Sequence, residues 1–349
     1  MALVQHYPAL RPESSPLCSV CIANYNGVHM LADCLDSVLA QTPSVPVEII
    51  VHDDASTDDS VAFLREHYPQ VEILASSDNV GFCTGNNRMV AHARGEYVLL
   101  LNNDTALFPD ALATLMSAAR NPEYGGILTL PQYDWTSGHL VDRGCLLDPF
   151  YNPVPNLDAS RRDVAYGIGA CLFLPRTLWN DLGGFPEWFG SMAEDMYICC
   201  LARLRGLSVT VTQASGYRHR QGQSFGGNRV DAGRLNTTYR RRFFSERNKT
   251  AVMAICTPTT IVWPLLALHI CMLTIEGAAL ALLKRNARIW CEIYGPTLKY
   301  SVCEFSALRA RRREAQCRRR IGLRGWLRVF VIMPRKFVLL RRHGLPRVR

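Results

Sequence analysis

Apart from Cys18 and Cys21, no pair among the thirteen cysteines of this 349-residue chain stands at zinc-ligand spacing, so a cysteine-built zinc module is not expected. Several cysteines sit inside apolar runs, as do Cys171, Cys199, Cys200 and Cys271. Cys18 and Cys21 form a C-x-x-C, but within a stretch read as a strand rather than at a helix start, and no redox role is assigned to them. The first residues carry no signal-peptide pattern, so a reducing, cytoplasmic location is expected. The chain has no internal repeat and no low-complexity segment. Formal charge is missing from residues 251–275. Twenty-five such residues could span a bilayer, although Thr257, Pro258, Thr259, Thr260, Pro264 and His269 dilute the stretch. The expectation is either a single span or an interfacial or docked helix pair.

An apolar fraction of 48% with 20% charged residues describes an ordinary folded protein, long enough for one large domain or two smaller ones. The net charge of +9 is unevenly placed. Residues 301–349 carry 15 Lys+Arg and 2 Asp+Glu, a net +13, which leaves the first 300 residues at −4. The basic character therefore belongs to the tail. There Trp326, Leu327, Phe330, Val331 and Phe337 interleave with arginines, a pattern suited to an anionic membrane surface. No nucleic-acid fold signature accompanies it, and nucleic acid is not an expected partner.

Residues 1–16 read as a flexible N-terminal arm. Strands are expected over 17–23, 47–51, 71–74 and 95–102, with helices over 31–39, 60–67 and from the glycine loop at 79–87 to Ala93. Strands alternating with short helices imply a parallel sheet with right-handed crossovers. Residues 132–163 read as a long irregular loop of functional kind. A strand over 167–174, a helix over 196–205 and a strand over 209–211 follow.

Each polar cluster comes directly after a strand, at the sheet edge where α/β folds bind ligands. The strongest case is Gly95-Glu-Tyr-Val-Leu-Leu-Leu-Asn-Asn-Asp-Thr105. A buried strand ends there in Asn102, Asn103 and Asp104. A carboxylate flanked by amides suits a divalent cation carrying a diphosphate. Taken alone, the same residues could be a strand followed by a helix cap.

Five motifs stand in order: Asn24-Tyr-Asn-Gly27; Asp53-Asp-Ala-Ser-Thr-Asp58; Asn79-Val-Gly-Phe-Cys-Thr-Gly-Asn-Asn87; Asn102-Asn-Asp104; and Gly183-Gly-Phe185 followed by Glu194-Asp195. Together they resemble the family 2 inverting glycosyltransferases, in particular the rhamnosyltransferase-like branch, over about residues 17–250. The resemblance implies an α/β GT-A (Rossmann-like) fold, a mostly parallel sheet flanked by helices, with a C-terminal helical membrane-associating region. The implied division is a catalytic domain over 17–245 and a helical, basic region over 246–349.

Roles follow from the resemblance residue by residue. Asp53 accepts from a base imide N–H, selecting uracil or thymine; the alternative is that it caps its own loop. Asp54 supports it, and Asn24 and Asn26 shape the nucleotide loop. Asn79, Gly81, Gly85 and Asn86 face the nucleotide-sugar, the glycines allowing close backbone approach. Asp104 matches the last acid of the family's Asp-x-Asp and is expected to bind Mg²⁺ or Mn²⁺; Asn102 replaces the first acid, and Asn103 lies between. His219, in His219-Arg-Gln-Gly-Gln-Ser224, is a further metal or phosphate contact, or else a structural histidine. Asp195 is the expected base and Glu194 orients the acceptor, against the plainer role of first-turn acids on a helix dipole. Trp188 and Phe189 offer a sugar platform or core packing.

The chain lacks the Gln-x-x-Arg-Trp signature of processive synthases, so transfer of one sugar is expected. The implied donor is dTDP-linked, with rhamnose favoured, or UDP-linked. The implied acceptor is a glycan or polyprenyl-linked glycan at the cytoplasmic face of the inner or plasma membrane, in bacterial surface polysaccharide synthesis. The alternatives are a UDP-sugar transferase of galactofuranose or N-acetylglucosamine, and a non-catalytic scaffold that kept the fold.

Overall fold

A computed structural model describes residues 3–222, 227–231 and 234–349. The chain divides into two compact units. The first comprises Met1–Cys145, Pro155–Ala202 and Leu207–Arg220; the second comprises Leu146–Val154, Arg203–Gly206 and Gln221–Arg349.

In the first unit the strands are, in chain order, β1 (Val4–Tyr7), β2 (Cys18–Asn24), β3 (Val47–Asp53), β4 (Glu72–Ser76), β5 (Tyr97–Asn102), β6 (Thr105–Leu107), β7 (Ile127–Thr129), β8 (Gln132–Asp134), β9 (Leu140–Asp142), β10 (Cys171–Pro175), β11 (Val209–Val211) and β12 (Tyr217–His219). Eight of them form one sheet in the order β1-β4-β3-β2-β5-β10-β7-β11. The centre, β4-β3-β2-β5, is parallel, while β1 and β10 run antiparallel to their neighbours. The central strands are continuous apolar runs because both faces are covered. Helix α1 (Val28–Leu39) buries Met30, Leu31, Cys34, Leu35 and Val38, the spacing of one helical face. With α2 (Ser60–His67) and α4 (Ala111–Ala119) it packs on Cys18, Val20, Ile22, Val51, Leu99 and Leu101 to make the main core. Helix α3 (Phe82–His92) links β4 to β5.

Cys18 and Cys21 are both fully buried on β2, and burial pushes each thiol up, which leaves them inert. The expected loose arm is partly strand. Val4–Tyr7 pairs with Glu72–Ser76, His6 opposite Leu74. Its residues gave no apolar run to read, because an edge strand buries little. The 132–163 stretch is likewise more ordered than expected. It contributes β8 and β9 to a four-stranded sheet of order β6-β12-β8-β9.

In the second unit, α7 (Tyr239–Cys256) and α8 (Val262–Leu283) are separate helices, so the uncharged stretch 251–275 is broken between Cys256 and Val262. Among the described residues one helix, Val262–Leu283, is long and apolar enough to cross a membrane. A buried charge network ties α7 together: Glu246 meets Lys249 at 2.7 Å and Lys336 at 2.6 Å, and Lys336 also meets Glu276 at 2.6 Å. The basic tail is partly structural. On α10 (Phe305–Cys317), Arg312 donates to the carbonyls of Ala254 (3.1 Å), Thr257 (2.6 Å) and Thr259 (2.7 Å) and so closes the end of α7.

Candidate active site

The parallel register explains why distant polar residues meet. Asn24 lies opposite Asp53 across β2 and β3, and Ala23 opposite Asn102 across β2 and β5. The three strands thus end at one level. Asn24 Nδ2 donates to Asp53 Oδ2 at 2.9 Å, and Asn103 Nδ2 donates to Asn24 Oδ1 at 2.7 Å. All three residues are buried. Gly27 lies under this amide pair. A Cβ there would collide with Asn103 Nδ2 and stand 2.6 Å from Asn24 Oδ1.

Asp53 also holds its own loop, accepting Ser56 N–H at 2.9 Å and Ser56 O–H at 2.7 Å. Its carboxylate has four lone-pair directions, of which three are filled by these bonds, so one acceptor position is left for a ligand. Asn26 sits at φ 50° and takes the Thr57 N–H at 2.7 Å, stitching the first two motifs together.

Asp54 directs its carboxylate to the third motif. Oδ1 accepts Val80 N–H at 2.7 Å and Oδ2 accepts Gly81 N–H at 2.9 Å. Asn79 Nδ2 reaches the Asp54 carbonyl at 3.3 Å. Gly81 has φ 88°, which a side chain disfavours, and opens α3. Two neighbours also serve the helix itself. Gly85 is buried inside α3, where a Cβ would stand 2.8 Å from His52 Nδ1, so its lack of side chain serves helix-on-sheet packing. Asn86 is buried and donates to the Phe82 carbonyl one turn back at 2.9 Å, within its own helix.

Sheet pairing brings His219 to Asp104. Strand β12 runs antiparallel to β6, with His219 opposite Thr105. His219 Nε2 lies 3.1 Å from Asp104 Oδ1, both residues buried. On the far side of the ring, Nδ1 lies 3.0 Å from Gln132 Oε1, which also accepts the Tyr217 hydroxyl at 2.8 Å. An acceptor at Nδ1 puts the imidazole proton there. Nε2 then presents a lone pair toward a carboxylate oxygen. Two acceptors at that distance call for a positive charge, a proton or a metal ion. Asn102 Oδ1, at the same strand end, is buried and accepts no hydrogen bond. A carboxylate, an imidazole and an orphaned amide oxygen fit a divalent cation that completes its shell with phosphate and water. Gln223 and Ser224, the end of the His219 motif, lie outside the described residues.

The fifth motif adjoins the third. Asn87 exchanges two 2.9 Å hydrogen bonds with the backbone of Phe185, and Cys83 N–H donates to the Gly190 carbonyl at 3.1 Å. Met192 and Ala193 then adopt φ 72° and 64°, left-handed values that cost non-glycine residues energy. This strained turn launches α6 (Glu194–Leu204). Asp195 Oδ2 accepts Gly169 N–H at 2.9 Å and Oδ1 accepts Met196 N–H at 2.7 Å. Glu194 is buried and Asp195 half-buried. Phe189 is fully buried beside Trp188, rings 4.4 Å apart, so packing claims Phe189 and only the half-buried Trp188 keeps a surface.

Three contributors had not been singled out from sequence: Gln132, Asn87 and Arg220. Arg220 stacks over Trp135 at 3.7 Å, pairs with Asp33, and donates its backbone N–H to the Asp104 carbonyl at 2.9 Å. A cleft of about 400 Å³ lies elsewhere, at the amino edge of the sheet, lined by Arg11, Val47, Glu48, Glu72 and Arg94.

Residues 19–177 match the family described as glycosyl transferase family 2. Chondroitin synthase of Escherichia coli is 34% identical over 192 residues, 52% of this chain and 26% of that protein. N-acetylglucosaminyl-diphospho-decaprenol L-rhamnosyltransferase of Mycobacterium tuberculosis is 26% identical over 211 residues, 50% of this chain and 67% of the relative. The chain spans about a quarter of the length of the first curated relatives it matches. Among solved structures, GalNAc-T7 with UDP, GalNAc and Mn²⁺ aligns with a TM-score of 0.55 at 14% identity, covering 68% of this chain and 48% of that one. The doubly covered sheet and its polar carboxyl edge agree with the family match: residues 19–177 are similar to glycosyl transferase family 2, and the fold is GT-A.

Proposed function

We propose that the chain transfers one sugar, rhamnose by preference, from a nucleoside diphosphate sugar to a glycan or lipid-linked glycan, with inversion. The 3.1 Å approach of His219 to Asp104, at the sheet edge that also carries the Asn24–Asp53 pair, carries this reading. Asp53, fixed by Asn24 and Ser56, offers its remaining lone pair to the base. Asp104 and His219 would hold a divalent cation, which when bound neutralises charge on the departing diphosphate. Asp195 is held by two backbone N–H groups and takes the proton of the acceptor hydroxyl. The acceptor oxygen then bonds to the anomeric carbon as the bond to the diphosphate oxygen breaks. The Mycobacterium relative, named for rhamnosyl transfer to a lipid diphosphate, supports the sugar and the acceptor class. A second reading is a UDP-sugar donor.

The second unit fits a role at the membrane surface. Along α8, Leu268, Met272 and Ile275 are exposed at helical spacing, as are Leu282 and Leu283. Its opposite face carries His269, bonded to Thr250 at 2.9 Å, and Glu276, paired with Arg242 and Lys336. A helix fastened on its polar face and apolar outward suits lying in a membrane interface.

Hydrolysis of a panel of nucleotide sugars, with Mn²⁺, Mg²⁺ or EDTA, tests the enzyme. We expect metal-dependent release of dTDP or UDP from one donor, abolished in Asp104→Ala and lowered by roughly 10²–10⁴ in Asp195→Asn. Silence across the panel with no nucleotide-induced thermal shift would sink the reading in favour of a scaffold. Silence with a clear shift would place the requirement on the acceptor.

A further inference from the structure

Away from the carboxyl edge, three side chains from separate elements converge on one oxygen. His6 comes from β1, Glu72 from the first position of β4 and His92 from the last turn of α3. His6 Nε2 stands 2.9 Å and His92 Nδ1 stands 3.6 Å from Glu72 Oε1, with the two rings 5.5 Å apart. One ligand atom from each residue lies within 4.8 Å of the other two. Ligand atoms around a tetrahedral zinc ion are about 3.3 Å apart, given bonds of about 2.0–2.1 Å. The cluster therefore needs only small side-chain rotations to close on an ion. Two imidazole nitrogens with one carboxylate oxygen form a borderline donor set, which favours Zn²⁺ and its neighbours over Mg²⁺ or Ca²⁺.

The placement gives such an ion work to do. β1 is a four-residue edge strand whose one partner in the sheet is β4. Its apolar burial is slight, since Val4 is 37% exposed. A bridge from β1 to both β4 and α3 supplies fastening that packing does not. We propose that His6, Glu72 and His92 form a second divalent site of the Zn²⁺ class, with its fourth position open to water, that clamps β1 to the sheet. This site is independent of the one at Asp104.

Calorimetric titration of Zn²⁺ into the metal-free full chain tests it, with the exposed thiols of Cys271, Cys291, Cys303 and Cys317 alkylated to remove competing ligands. Wild type and Asp104→Ala should bind the same equivalent that His6→Gln and His92→Ala each lose. Both histidines are about half exposed, so the variants should keep the wild-type Tm in EDTA. Zn²⁺ should slow amide hydrogen exchange over Val4–Tyr7 in wild type and leave it unchanged in His92→Ala, a variant that keeps β1 intact. Equal Zn²⁺ stoichiometry in wild type and both histidine variants overturns the proposal. So does exchange over β1 that is indifferent to Zn²⁺ in the wild type.

Discussion

Asp142 offers a quantitative test of how the sheet bearing His219 is built. It ends β9 opposite Gln132 and is 3% exposed. Burial raises its carboxyl to about 7, opposed by the Gly144 N–H that it accepts at 3.0 Å. The ordinary value is about 3.8, so the shift corresponds to about 4 kcal/mol at about 1.4 kcal/mol per unit, an upper limit for a site that water can reach. The sign follows from proton counts. Between about pH 4 and pH 7 the folded chain keeps a proton that the unfolded chain has released, so this contribution to stability is full below about pH 4 and is lost as pH rises through about 7. Asp142→Asn removes the titration while its carbonyl oxygen still accepts from Gly144. Its buried amide N–H₂ costs about 1–3 kcal/mol at every pH. Urea midpoints of wild type and variant, measured from about pH 4 to pH 8, should therefore diverge in favour of the variant by up to about 4 kcal/mol over that range. A difference that stays flat across it would refute the reasoning.

Other substitutions probe the remaining connections. Gln132→Leu removes the acceptor that fixes the His219 tautomer and should weaken Mn²⁺ dependence of donor hydrolysis by about 10–100-fold with the fold intact, read from a metal titration. Gly27→Ala should displace the Asn24–Asn103 amide pair and raise the nucleotide Kd more than it lowers Tm. Glu246→Ala strands the buried cation of Lys249, while Lys336 keeps Glu276, and should cost about 3–5 kcal/mol of stability, measured by chemical denaturation.

The central strands were legible because burial on both faces writes itself as unbroken apolar runs, as in residues 97–101. Helix α2 was read at its observed bounds, Ser60–His67. The polar ends of β2, β3 and β5 were legible as a set, since a parallel sheet ends its strands on one edge. What was hidden depended on pairing between distant segments. Nothing local in Gln132 says that it will lie beside β12 and hold His219. The strained turn at Met192 and Ala193 was also silent, because neither residue is one that signals positive φ. Gly85 and Asn86 show the limit of such reading: within the first turns of α3 they also make helix contacts that the motif alone does not announce.

The arginine that closes α7 changes how the tail can be dissected. Arg312 spends its guanidinium on four main-chain oxygens, those of Ala254, Ile255, Thr257 and Thr259, so it is an internal brace that happens to carry charge. Cutting the chain before α10 would remove surface charge and unravel a helix end in one stroke, and any loss of membrane binding would have two causes. Exchanging exposed tail arginines such as Arg341 and Arg342 for glutamine separates them, because those side chains leave the brace in place. In this tail the count of positive charges overstates what is available to a lipid headgroup.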